Sequence, residues 1–332
     1  MHIIDKGTKT SSLKLRARQF YKANQLHQAG DLYHQACQLD PEDDDAWYMV
    51  GHICLQVGNL EGAEFAARQS IAIRPDHADA YTALGSALTA MHRYSQAIPT
   101  LEQAIRLKRN NPAAHTALGS ALLETGRPSE AIAHYRNAMG LENNPRYHSN
   151  VLLALNYLHA EEPTAVYREH LRWDRKYTIS AQNSPDFPNA CQPERPLRIG
   201  YVSPDLRNHP VAYFLEPLLS ERDCDAFHVT CYANVAAPDS ITSYLQQRAD
   251  DWRNIVNMPD PQVAHQIRYD RIDILVDLAG HTARNRLQVF TMKPAPVQVT
   301  YLGYPNTTGL ASMDYRLTDA RADPPGETDR FY

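Results

Sequence analysis

At 332 residues the chain exceeds one ordinary compact core, and a prior of roughly 100 to 200 residues per domain predicts two units. Hydrophobic residues make up 43% and charged residues 21%, which excludes extensive disorder. The 33 basic residues face 38 acidic ones, divided after residue 143 into 14 against 15 and 19 against 23. Neither part is basic, which argues against nucleic-acid binding driven by phosphate neutralisation.

No apolar leader opens the chain, no long apolar run occurs later, and the 5 cysteines contain no C-x-x-C pair. These features predict a soluble globular protein of the reducing cytoplasm with free, mostly buried thiols.

The first elements repeat. Registers starting at Thr10, Asp44, Ala78 and Pro112 are spaced as a tetratricopeptide repeat, which predicts four helical hairpins over 10–143. The eighth position is small in every register (Ala17, Gly51, Gly85, Gly119) and the twentieth is always alanine (Ala29, Ala63, Ala97, Ala131). Small residues there let paired helices approach, while Trp47, Tyr33, Leu84, Leu118 and Tyr135 supply a continuous core. Pro41 and Pro75 stand where the second helix of the first two repeats must stop. Stacked repeats form a superhelix whose concave surface commonly receives a peptide, so an acceptor or partner protein is the expected ligand.

Helical patterning continues through "HSNVLLALNYLHA" and "PTAVYREHLRWDRKY", which predicts a helical segment over 144–180 that closes the repeats. The proline-rich stretch 181–196 reads as a linker, so that the repeats and closing helices fold independently of the carboxyl-terminal part of the chain.

From Leu197 short apolar runs alternate with helical segments: "LRIGYVS", "FHVTCYA", "IDILVDLAG", "VQVTYLG" and "YRLTD". Alternation of this kind predicts a parallel sheet wrapped by helices, with ligands at the carboxyl ends of the strands. The loops "SPDLRNHP", "GHTARN" and "GYPNTTG" come directly after three of those strands, and Thr282 or Thr307 could cap a helix or contact a phosphate. None is a G-x-G-x-x-G fingerprint, which counts against a dinucleotide enzyme. The "DDD" at Asp43 to Asp45 sits in an inter-repeat turn and the "DCD" at Asp223 to Asp225 lies at the wrong end of the sheet, so neither is read as a metal site. The histidines show no zinc spacing, and no metal is expected.

The blocks "PLRIGYVSPDLRNHPVAYFLEPLL", "IDILVDLAGHT", "KPAPVQVTYLGYPNTTGL", "DYRLTDARADPP" and "DRFY" closely resemble the amino-terminal catalytic lobe of the O-GlcNAc transferase and SPINDLY family, over residues 195–332. The resemblance implies an α-solenoid followed by the first Rossmann-like lobe of a two-lobed GT-B enzyme, truncated at 197–332 before the second lobe. It also implies an inverting protein O-glycosyltransferase moving N-acetylglucosamine, or fucose, from a nucleotide sugar, with UDP-N-acetylglucosamine the expected donor and no cofactor. It marks His209 in "RNHP" as the catalytic candidate. Asp205 orients that loop or caps the next helix, and His281 and Tyr304 join Thr282 and Thr307 as candidates to line the cleft. The sixth repeat position reads Leu15, Met49, Ala83 and Ala117 where the family often places asparagine, and Lys293 and Tyr301 stand for its usual arginine and tryptophan. The competing reading is a non-catalytic repeat protein that retains these loops by descent.

Overall fold

The computed structural model describes residues 2–158, 162–178, 187, 189, 192, 194–324 and 326. Most of the expected linker and the terminal "DRFY" lie outside the described residues. The chain divides into two compact units, Met1–Tyr147 and His148–Tyr332. Among the described residues no helix is long and apolar enough to cross a membrane.

The first unit is four helical hairpins: α1 (His2–Lys22) with α2 (Leu26–Leu39), α3 (Asp44–Gln56) with α4 (Leu60–Ile73), α5 (Ala78–Ala90) with α6 (Tyr94–Leu107), and α7 (Pro112–Glu124) with α8 (Pro128–Leu141). Ala29, Ala63, Ala97 and Ala131 are all fully buried, as the register requires. At Gly85 a methyl group would stand 2.3 Å from Leu101 Cγ, so nothing larger than glycine fits that crossing. Helix starts are capped by Asp43, Asn59 and Asn111, whose side chains accept from the backbone N–H groups of Ala46, Gly62 and Ala114. The Asp43–Asp45 run is therefore a helix start, and Arg74 pairs with both Asp44 and Asp45.

The second unit opens with α9 (Pro145–Leu155) and α10 (Pro163–Tyr177) and continues into a six-stranded, wholly parallel sheet. Its strands are β1 (Leu197–Ser203), β2 (Phe227–Ala233), β3 (Asp251–Asn254), β4 (Ile274–Asp277), β5 (Val297–Tyr301) and β6 (Tyr315–Leu317), in the order β3-β2-β1-β4-β5-β6. Helices α11 (Pro210–Ser220), α12 (Ser240–Gln246), α13 (Asp260–Tyr269) and α14 (Leu287–Thr291) fall in the connections. Five strands are those read from the sequence. The short polar edge strand β3 carries no alternation or apolar run by which to find it.

One expectation changes. The helices α9 and α10, read as closing the repeats, fall almost entirely within the second unit, because the side chains they bury there are tied to the loops of the sheet. Of the four described cysteines, Cys37 and Cys231 are buried, Cys54 is half-buried and Cys224 is exposed.

Candidate functional site

The strand order reverses at β1, whose neighbours are β2 and β4, and the connections after β1 and β4 diverge there. In open parallel sheets this is where ligands bind. Three loops leave the carboxyl ends of β1, β4 and β5. They are laced together: Leu278 N–H donates to Val202 O, and Asn234 donates through its backbone to Ser203 O and through its side chain to Arg284 O. At Gly303 a methyl group would lie 1.8 Å from Leu278 O, so the β4 and β5 loops touch backbone to backbone only because that residue is glycine.

His209 caps α11. Its Nδ1 accepts from Val211 N–H at a long 3.3 Å, and its Nε2 lies 3.9 Å from Asp205 Oδ1. The ring is about one-third exposed, so a reactant can reach it. Asp205 also faces Arg207 at 3.6 Å, and its N–H donates to Ser203 Oγ, which fixes the turn directly after β1. The loop is held from the other side by Asp239, which caps α12 and whose Oδ2 accepts from Asn208 N–H at 2.7 Å. Tyr213 donates to Asn208 Oδ1. The sequence singles out the loop's histidine, but not Asp239, Asn208 and Tyr213, which brace the loop.

His281 and Tyr304 stand elsewhere than expected. His281 is fully buried and Tyr304 is 5% exposed, so neither presents a surface to a cleft. His281 Nε2–H donates to Thr308 O at 2.8 Å, and its Nδ1 accepts from Ser149 of α9 at 3.0 Å. The Tyr304 hydroxyl accepts from Asn156 Nδ2 and sits 2.9 Å from His170 Nε2 and 3.1 Å from Leu152 O. Burial pushes His170 down to about 4 and His281 well below its ordinary value, so both rings are neutral. Burial raises the Tyr304 hydroxyl. These residues hold the β4 and β5 loops to α9 and α10.

Thr282 and Thr307 serve their own turns. Thr282 Oγ1 donates to Ala279 O, and buried Thr307 Oγ1 accepts from Gly309 N–H. Asp277, absent from the expected site, is fully buried at the end of β4. It accepts from Ala279 and Gly280 N–H and from Thr300 Oγ1, yet burial still lifts it to about 6. Its one sequence signal is an aspartate ending an apolar run. Lys293 donates to Ser312 O and pairs with Asp314.

The sequence pattern of glycosyl transferase family 41 matches residues 148–332, more than half of the chain and the whole second unit. The chain belongs to that family. The match begins where the second unit begins, so α9 and α10 are part of the family 41 region. A tetratricopeptide repeat pattern matches 114–146, and a tetratricopeptide-like domain of cilia and flagella-associated protein 70 matches 13–123.

Among its relatives, the probable UDP-N-acetylglucosamine–peptide N-acetylglucosaminyltransferase SPINDLY of Solanum lycopersicum is 43% identical over 180 residues, covering 53% of this chain and 19% of that one. The corresponding transferase of Caenorhabditis elegans is 37% identical over 130 residues, covering 39% of this chain and 11% of that one. The structure of a mutant Thermobaculum terrenum O-GlcNAc transferase superposes with a TM-score of 0.82 at 36% identity, over 87% of this chain and 56% of that one. The chain thus spans about a fifth of the length of the SPINDLY relatives it matches. This family 41 chain is glycosyltransferase-like in sequence and fold, with a helical repeat solenoid and one parallel-sheet lobe of GT-B type.

Proposed function

We propose that the chain is the repeat module and amino-terminal catalytic lobe of an inverting protein O-glycosyltransferase, which moves N-acetylglucosamine from UDP-N-acetylglucosamine to Ser or Thr hydroxyls of a protein received by the repeats. Fucose is the alternative sugar. The observation that carries the reading is a partly exposed imidazole at the carboxyl end of β1, beside a carboxylate, at the strand-order reversal. In this arrangement the basic lone pair is the one on Nδ1 that caps α11, and it must give up its long contact from Val211 N–H to take a proton. A proton taken from an acceptor hydroxyl goes there, and the imidazolium so formed faces Asp205. The buried residues His281 and Tyr304 act by position, keeping two of the three site loops in place.

A nucleotide gripped by one lobe lacks opposing contacts and stays exposed to water, which screens its charge. Residues 1–332 alone are therefore expected to give no appreciable thermal shift with millimolar UDP-N-acetylglucosamine and no transfer. In a longer form that includes a second lobe, His209→Ala is expected to cut turnover by roughly 100-fold to 10,000-fold with little change in donor KM. An unchanged turnover number removes His209 from the chemistry. A longer form that transfers no sugar to any acceptor leaves the chain a non-catalytic repeat protein.

A further inference from the structure

A cavity of about 280 Å³ opens on the first unit between α1 and α3, with Tyr33 of α2 behind it. One wall is a stripe of α1 that carries Lys14, Arg18 and Lys22, spaced four residues apart and so aligned on one face of the helix. The other wall is Tyr48 and Met49 of α3, and Tyr21 joins the two helices through His52, with its hydroxyl 3.0 Å from His52 Nε2.

The charges do not cancel. Lys14 is taken up by Asp43 at 2.7 Å, and Asp45, the exposed acidic residue of the lining, shares Arg74 with Asp44 and stands 3.3 Å from it. Arg18 lines the cavity with Tyr33 and has no ion-pair partner among the described residues. Lys22 is exposed and has no hydrogen-bond or ion-pair partner among the described residues. Beside that one carboxylate the cavity presents two cations, Arg18 and Lys22, that have no ion-pair partner among the described residues, next to the rings of Tyr21 and Tyr48.

Their spacing selects a ligand. Four residues of helix advance about 6 Å, and two residues of an extended chain advance about 7 Å. Alternate side chains of an extended chain also point the same way. We infer that this cavity docks an extended acidic segment of a partner protein, with carboxylates at alternate positions meeting Arg18 and Lys22 and the intervening backbone lying against Tyr48 and Tyr21. The inference rests on the reading that the repeats receive acceptor proteins, and it supplies the chemistry of the segment received. A guanidinium fork suits a carboxylate, and phenolic rings suit the edge of a peptide.

The test is fluorescence anisotropy on the whole 332-residue chain, at low salt and without nucleotide sugar, so that binding is read apart from transfer. Three short, labelled, terminally blocked peptides of one composition frame are compared: Glu at alternate positions, the same two Glu adjacent, and Gln at the alternate positions. The alternate-Glu peptide is expected to bind tightest, roughly threefold to tenfold over either control, and to weaken as salt rises. Lys22→Glu, an exposed change with no partner to lose, is expected to weaken it by about tenfold. Arg18→Gln is expected to act likewise, with circular dichroism reporting an intact fold. Equal binding of the Glu and Gln peptides, equal binding of the adjacent-Glu peptide, or an unchanged affinity in Lys22→Glu overturns the proposal. None of these outcomes bears on whether a longer form transfers sugar.

Discussion

The two units hold themselves together in different ways. In the first, the helix crossings rest on small residues, alanines at no exposure and Gly85 against Leu101, and each helix packs mainly on its neighbours in sequence. In the second, the deepest positions include Asp277, His170, His281 and Gln298, all buried and all hydrogen-bonded to residues on other elements or loops. A repeat can be stable with contacts of short sequence separation, because stacking alone buries its face. A site on strand ends needs loops held at fixed positions, and here polar groups 132 to 152 residues apart hold them. Such networks are stringent, since an unpaired buried polar group costs more than a lost contact.

The second unit is most vulnerable at Gly303. Gly303→Ala places a methyl group onto the Leu278 carbonyl, so backbone must move, and a loss of more than about 3 kcal/mol is expected. Amide hydrogen exchange should show the damage in His148–Tyr332, including α9 and α10, while the repeats keep their protection. If α9 and α10 instead behave with the repeats, the boundary at His148 is misplaced. The matching insult to the first unit is Gly85→Leu, which overpacks α5 against Leu101 and should cost about 3 kcal/mol, read as faster exchange in α5 and α6. Native protection there would refute the repeat register.

Tyr304→Phe separates packing from polar satisfaction, since it keeps the ring and leaves Asn156 Nδ2 and His170 Nε2 without that partner. A loss of about 2 kcal/mol is expected in chemical denaturation. A neutral result would mean the network contributes shape alone.

The smallest effect is in pH. His170 and His281 bind fewer protons folded than unfolded, so their contribution to stability is present above about 6.5 and lost as pH falls toward about 4. Asp277, raised to about 6, acts oppositely, favouring the fold as pH drops through the same window. Two groups against one leave the second unit losing stability on acidification, by roughly 1 kcal/mol per pH unit. Below about pH 4 Glu169, held near 2 by His148 and then Arg172, adds to the loss. His170→Gln should flatten the slope between pH 6 and 4, checked by denaturation midpoints across pH.

What the sequence determined by itself was periodic or local. Small residues recurring at one repeat position admit only close helix pairs, apolar runs between helical segments admit a parallel sheet, and "RNHP" after the first run puts His209 at a strand end. Each signal lies within a few residues of the structure it specifies. The tertiary structure alone decided the rest. It gave α9 and α10 to the second unit, because Ser149, Asn156 and His170 find their partners in loops more than a hundred residues later. It turned His281 and Tyr304 from exposed loop candidates into buried struts, and it made Asp277 a hydrogen-bonded anchor. A side chain's role at a strand end depends on what covers the loop, and residues that distant in sequence leave no local pattern by which to read it.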